Sequence, residues 1–208
     1  MLARLAEYVR GGGSLVVSVK SGFCNEFSTV RWEMAPGPLR EAAGVYYQEF
    51  SSLRQPLALK GDPFGAGAEN KVSEWAEILI TDTAKPLAYY DQPFFAKYPA
   101  ITRNSFGKGT LTYEGTVLSD KLQERVLLDV LERAGLIGPD QSLPATVHVK
   151  HGQNRRGETL HYYPNYSIDS QTFDYPYAAG TELLTQSGLE HGQKITLKPW
   201  DAAIVEEK

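Results

Sequence analysis

The sequence is poor in cysteine, histidine and long apolar runs, and each shortage removes a class of protein. One cysteine, Cys24, stands in 208 residues. It leaves no intrachain disulfide and takes away the thiolate sets that hold structural zinc. The four histidines, His148, His151, His161 and His191, all lie late in the chain. No apolar run approaches the roughly 18 residues of a membrane span, and Met1 opens no charged-then-apolar leader pattern. Lys and Arg total 21 against 25 Asp and Glu, a net charge of −4, which argues against a nucleic-acid partner. The densest basic cluster, Lys150, Arg155 and Arg156 beside His148 and His151, reads as a solvated hairpin tip. A cytoplasmic chain with neither membrane nor nucleic acid as partner is the expectation. What the chain does have is 42% hydrophobic residues, enough for a core in one or two domains.

The opening segment LARLAEYVRGGGSLVVSVKSG carries the clearest pattern. Leu2, Leu5, Ala6 and Val9 recur at helical spacing, and Gly11, Gly12 and Gly13 stop the helix. Leu15 to Val19 then form a short apolar run, as a strand covered on both faces would. Helix, tight turn and buried parallel strand make the closing half of a βαβ unit. Further on, SGFCNEFSTVRWEMAPGP reads as a long loop, since Pro36 and Pro38 forbid regular pairing. Strands are expected at Val45–Leu53, Glu77–Thr81 and Leu87–Tyr90. A hairpin joins Pro99–Ser105 to Thr110–Thr116 through Phe106-Gly107-Lys108-Gly109. The helix Asp120–Ala134 has Ser119 as N-cap, Arg133 at its negative end and Gly135 beyond. Its apolar stripe is Leu122, Val126, Leu127, Val130, Leu131 and Ala134, opposite Lys121, Glu124, Arg125, Asp129 and Glu132. After Gly138-Pro139-Asp140 the pattern changes to short strands and frequent turns, at Thr146–Lys150, Thr159–Tyr163, Glu182–Leu184, Ile195–Leu197 and Ala202–Val205. That is the signature of a small antiparallel β-sandwich. The reading gives an α/β domain over 1–139, an open sheet flanked by helices, and a β-sandwich domain over 144–208.

Several blocks, taken in order, carry a resemblance. They are YVRGGGSLVVSVKSG, Pro36-Gly37-Pro38-Leu39-Arg40 with Gly44-Val45, Trp75-Ala76-Glu77, and Pro99-Ala100-Ile101-Thr102 leading to Gly107-Lys108-Gly109. Tyr113-Glu114-Gly115-Thr116 and Arg133-Ala134-Gly135-Leu136 follow. Together they resemble the middle, trimerisation domain of the glycoside hydrolase family 42 β-galactosidases, and from Pro144 the chain resembles their small closing β-domain. The resemblance implies a flavodoxin-like or glutamine-amidotransferase-like fold, a homotrimer and a place in carbohydrate metabolism. It also implies that catalysis belongs to a (β/α)8 barrel, which needs roughly 200 residues or more of its own. No two acids here are paired by any motif, although retaining hydrolysis needs two carboxyls about 5 Å apart. No catalytic carboxylate is therefore nominated, and the chain is expected to be inactive alone.

Each remaining candidate has a plain alternative. Cys24 follows a parallel strand, as an amidotransferase nucleophile would, but no histidine precedes His148 to take its proton. Gly11-Gly12-Gly13 precedes a strand rather than following one, so it is no phosphate cradle, and Gly65-Ala66-Gly67 sits in a loop. No cofactor is expected. His148 and His151 are three apart along a strand end, which points their rings to opposite faces and disfavours a metal. Tyr162, Tyr163, Tyr166, Phe173, Tyr175, Tyr177 and Trp200 either fill a sandwich core or offer sugars a stacking surface. The family's domain can lie near a neighbouring subunit's sugar pocket, and the resemblance makes Phe23, Phe27 and Trp32 the candidates for such contacts. Three functions follow: an oligomerisation part of a β-galactosidase-like protein, a carbohydrate-binding module, or a Cys enzyme.

Overall fold

A computed structural model describes residues 1–208, which divide into two compact units, Met1–Leu136 and Ile137–Lys208. In the first unit α1 (Leu2–Arg10) leads to β1 (Ser14–Val17), then α2 (Arg40–Ala43), β2 (Val45–Tyr46), β3 (Phe50–Ser52) and β4 (Leu57–Ala58). It continues with β5 (Lys71–Glu77), β6 (Ile80–Thr81), β7 (Lys85–Tyr89), β8 (Pro99–Phe106), β9 (Gly109–Glu114), β10 (Thr116–Leu118) and α3 (Asp120–Arg133). The second unit holds β11 (Lys150–Gln153), β12 (Thr159–Pro164), β13 (Gln171–Asp174), β14 (Gly180–Glu182), β15 (Ser187–Leu189), β16 (Lys194–Leu197) and β17 (Ala202–Glu207).

The first unit is built on an open mixed sheet of order β1-β9-β8-β7, with β1 parallel to β9 and the other pairs antiparallel. Side chains alternate along β9, so Leu111 and Tyr113 face α1 and α2 while Thr112 and Glu114 face α3. Val9, Leu39, Ala42, Ala43, Val45, Tyr47 and Leu79 complete the core on the first face. On the other, Ile101, Ala88, Tyr90, Leu122 and Val126 pack with Val72, Ala76 and Leu118. These last come from the second sheet, β10-β5-β3, with β4 also on β5. Where the α1–β1 turn meets the β8–β9 hairpin, backbones touch. A Cβ on Gly109 would collide with the Gly13 and Val9 carbonyls, so glycine is required there.

The antiparallel hairpin and both main helices fall where the sequence pattern places them, and Ser119 Oγ accepts from the Leu122 N–H as the N-cap. Other elements differ. β1 is an edge strand and only half-buried, because β9 alone pairs with it. The Val45–Leu53 strand breaks into β2 and β3, since the Tyr47 N–H turns away to the Ala35 carbonyl. The Glu77–Thr81 strand is displaced to β5 and β6; β5 is hidden from pattern reading by a bulge at Glu74, whose φ is 64°. In α3 only Leu122 and Val126 are buried, while Leu127 is exposed. Asp129, assigned to the solvent face, instead turns to Arg103 on β8 at 2.6 Å.

The second unit is all antiparallel, a five-stranded sheet of order β11-β12-β17-β14-β15 and the ribbon β13-β16. Tyr163, Ala203 and Val205 of the sheet share one core with Phe173, Ile195 and Leu197 of the ribbon. Its strands depart from expectation at Thr146–Lys150, where the strand is Lys150–Gln153, and at Glu182–Leu184, where it is Gly180–Glu182. β13 and β15 carry too few apolar residues to be read in advance.

Candidate interface site

Beyond β1 the chain leaves the sheet in a loop, residues 18–36, whose base is fixed by one buried acid. Glu77 ends β5, is 0% exposed, and donates its backbone N–H to the Gly115 carbonyl at 2.8 Å. Its Oε1 accepts the Lys20 backbone N–H at 2.8 Å, and its Oε2 accepts the Tyr113 hydroxyl at 2.9 Å. The Tyr47 hydroxyl faces the same carboxyl. Burial raises the Glu77 pKa, against the lowering effect of these donors. Burial and the neighbouring carboxylate push both tyrosines above the ordinary phenol value. A carboxyl so enclosed reaches no substrate; it serves as an anchor.

The Lys20 side chain extends from the anchor into an aromatic cage. Its ammonium lies over the Phe50 ring, 4.6 Å from the centroid of Phe23 and 4.9 Å from that of Trp75. Phe23 and Trp75 each meet Phe50 edge to face, at 5.7 and 5.6 Å. Burial lowers the Lys20 pKa, and the Glu77 charge opposes that shift. Above the cage the loop is self-bonded. Asn25 Oδ1 accepts from the Phe27 and Thr29 N–H groups at 3.0 Å, Cys24 bridges Val30, and the Arg31 N–H reaches the Phe23 carbonyl. This held tip carries Phe27, Val30 and Trp32, exposed by 79%, 57% and 93%. Three large apolar side chains are thus exposed on one internally bonded loop.

Of the three candidate contact residues, Phe27 and Trp32 therefore stand at the tip, while Phe23 turns inward to the cage. Cys24 is exposed on the same loop; its unit contains no histidine. The residues that pattern reading missed are Lys20, Tyr47, Glu77 and Tyr113. Nothing in a single sequence marks an acid as buried; Lys20, Glu77 and Tyr113 each fall in one of the resemblance blocks, but no block shows that they meet. In the second unit the Tyr-rich run divides. Tyr163, Phe173 and Tyr175 are buried in the core, whereas Tyr162, Tyr166 and Trp200 are exposed. Arg156 at the β11–β12 hairpin tip pairs with Glu158 and Glu206. No helix is long and apolar enough to cross a membrane.

Comparison with known proteins supplies the context for this loop. The chain is 33% identical to the β-galactosidase BgaB of Geobacillus sp. (strain Y412MC61) over 129 residues, 62% of this chain and 19% of that protein. It is 26% identical to the β-galactosidase BgaA of Clostridium cellulovorans over 202 residues, 97% of this chain and 30% of the relative. The chain thus spans less than a third of the length of these curated relatives. Among solved structures, the β-galactosidase of Bacillus circulans sp. alkalophilus superposes with a TM-score of 0.85 at 24% identity, covering 100% of this chain and 31% of its own. That of Rahnella sp. R3 gives 0.82 at 25% identity, over 100% and 30%. The family model for the β-galactosidase trimerisation domain matches residues 1–137. With that match spanning the whole first unit, the chain belongs to the β-galactosidase trimerisation domain family.

Proposed function

We propose that this chain holds subunits together in a β-galactosidase-type glycoside hydrolase and is not its hydrolytic part, with the loop of residues 18–36 as a subunit contact. The observation that carries this reading is the pairing of an exposed tip, Phe27 and Trp32, with a base locked by a fully buried Glu77. Burying two such side chains is worth about 3–6 kcal/mol before ordering costs. The fold kinship proposed is flavodoxin-like or amidotransferase-like, supported by the α1–Gly–β1 unit, the parallel β1–β9 pair and helices on both sheet faces. The proposed domains are 1–139 for assembly and 144–208 for a closing β-sandwich. A homotrimer in the cytoplasm, with no nucleic acid or membrane as partner, completes the reading. Light scattering on the purified chain tests it, beside an aryl β-galactoside assay. A trimer that Trp32→Ala and Phe27→Ala dissociate, without turnover, supports the proposal. A monomer at micromolar concentration, or turnover abolished by one carboxylate substitution, overturns it.

A second reading is a galactoside contact, in which Trp32 or the exposed Tyr166 and Trp200 stack on a sugar ring. Titration of galactose and β-galactosides against tryptophan fluorescence decides it. No response at millimolar sugar removes this reading and leaves the assembly role untouched.

A further inference from the structure

The core of the second unit encloses three polar atoms that find no partner in the protein. His161 and Tyr163 lie two apart on β12, so their side chains share a face, and their rings stack at 6.3 Å. Tyr175, just beyond β13, meets both edge to face, 6.2 Å from the His161 ring and 6.4 Å from that of Tyr163. The three residues are buried, at 2%, 0% and 0% exposure, and His161 Nε2 and both phenol oxygens are without a hydrogen bond. Buried polar atoms are almost always paired, and one left alone costs stability. Three of them on residues whose rings meet mark a site.

The neighbouring groups define what the site holds. His161 Nδ1 is 2.7 Å from His151 Nδ1, and the two share a single hydrogen. Whichever ring carries it, His161 Nε2 is left with a lone pair or an N–H to satisfy. Glu207 Oε1 lies 3.2 Å from that nitrogen but accepts the Ala178 N–H, and it makes no hydrogen bond to the imidazole. The Tyr177 hydroxyl is committed to Asp140 at 2.6 Å, while its ring stacks on His161 at 4.0 Å. Burial, and then neighbouring charge that includes Glu207, raises the pKa of both buried phenols, so each keeps a hydrogen to donate. We propose that the space bounded by His161, Tyr163, Tyr175 and Glu207 binds one internal water. A water offers two donors and two acceptors. It takes both phenol hydrogens and gives its own to Glu207 and to the His161 lone pair. With the other tautomer it accepts from Nε2 and donates to a phenol oxygen. A cation would oppose the phenol hydrogens, and an anion would oppose Glu207. With the Tyr177 ring and the core closing the site, nothing larger than water enters. The water ties β12 and the end of β17 to the segment after β13, and so joins the sheet to the ribbon.

A crystal structure of the full chain gives the direct test. A water within about 3.2 Å of both phenol oxygens and of His161 Nε2 supports the proposal. Hydroxyls bonded directly to each other or to Glu207, with no water among them, overturn it. Hydrogen exchange at the β12 and β17 amides tests it in solution. Tyr163→Phe and Tyr175→Phe each speed that exchange about fivefold, the equivalent of one net hydrogen bond. The two losses share one water, so the double variant stays well below the roughly 25-fold of independent bonds. Additive losses refute the shared water. Exchange that is unchanged or slower in both single variants refutes the site, because an unpartnered hydroxyl is removed without loss. Should a variant fail to fold, the wild-type crystal structure decides.

Discussion

Glu77 offers the sharpest test of how the loop of residues 18–36 is held. Glu77→Ala strips the acceptor from two buried donors, the Lys20 backbone N–H and the Tyr113 hydroxyl. Each orphaned buried donor costs about 1–3 kcal/mol, giving about 2–6 kcal/mol for the pair. Glu77→Gln is the discriminating control. Its amide oxygen still accepts from Lys20 and its NH2 group still meets the Tyr113 oxygen, so most of that stability returns. Because burial raises the acid's pKa, the wild type spends stability to keep the carboxylate charged. That group's contribution is complete below its unfolded pKa and is lost as pH rises through the raised folded value. Glu77→Gln should therefore flatten the fall in stability that begins as pH rises above the ordinary carboxyl value. Urea unfolding at several pH values measures both effects, with amide exchange across residues 18–36 reporting on the loop. An alanine variant within 1 kcal/mol of wild type, with loop protection unchanged, would refute the anchoring argument.

Other outcomes follow from the same structure. Trp32→Ala should lower oligomer stability while shifting subunit unfolding by no more than about 0.5 kcal/mol, since the ring is 93% exposed; paired light scattering and urea melts would separate the two. For Asp129, burial is outweighed by hydrogen bonds from Arg133 and Arg103, which hold its pKa down. Its stabilisation exists above the unfolded value and fades as pH falls through the folded one. Asp129→Asn should thus blunt acid destabilisation and, by stranding the 10%-exposed Arg103, cost about 1–3 kcal/mol at neutral pH, read from urea midpoints. Gly44 has φ 62°, and a Cβ there would meet Thr83 Oγ1 at 2.5 Å and the Ala84 N at 2.8 Å. Gly44→Ala should lose about 1–3 kcal/mol in thermal unfolding.

What could be read in advance was whatever is local. The Ser119 cap and Gly135 stop define α3, and Gly107-Lys108-Gly109 defines the hairpin, because each is a short-range property of neighbouring residues. Non-local facts escaped. β5 includes a bulge at Glu74 and three charged residues, Lys71, Glu74 and Glu77, so it shows no clean alternation. Glu77 carries the same chemistry as any solvated acid until Tyr47, Tyr113 and the Lys20 backbone converge on it. The histidines show the limit most plainly. Spacing along the chain invited comparison of His148 with His151, whereas the pair that meets, His151 with His161, depends on a register between two strands. Only the resemblance points to Phe27 and Trp32, whose exposure has no local signature either.

Strand β9 belongs to two interiors at once. Leu111 and Tyr113 plug the side beneath α1 and α2, while Thr112 and Glu114 brace the side beneath α3. Neither half can melt and leave the other standing, because the same six residues would be torn from both. Heating should dissolve the N-terminal unit in one step, and a protease offered the native protein should trim loops without ever liberating a stable half.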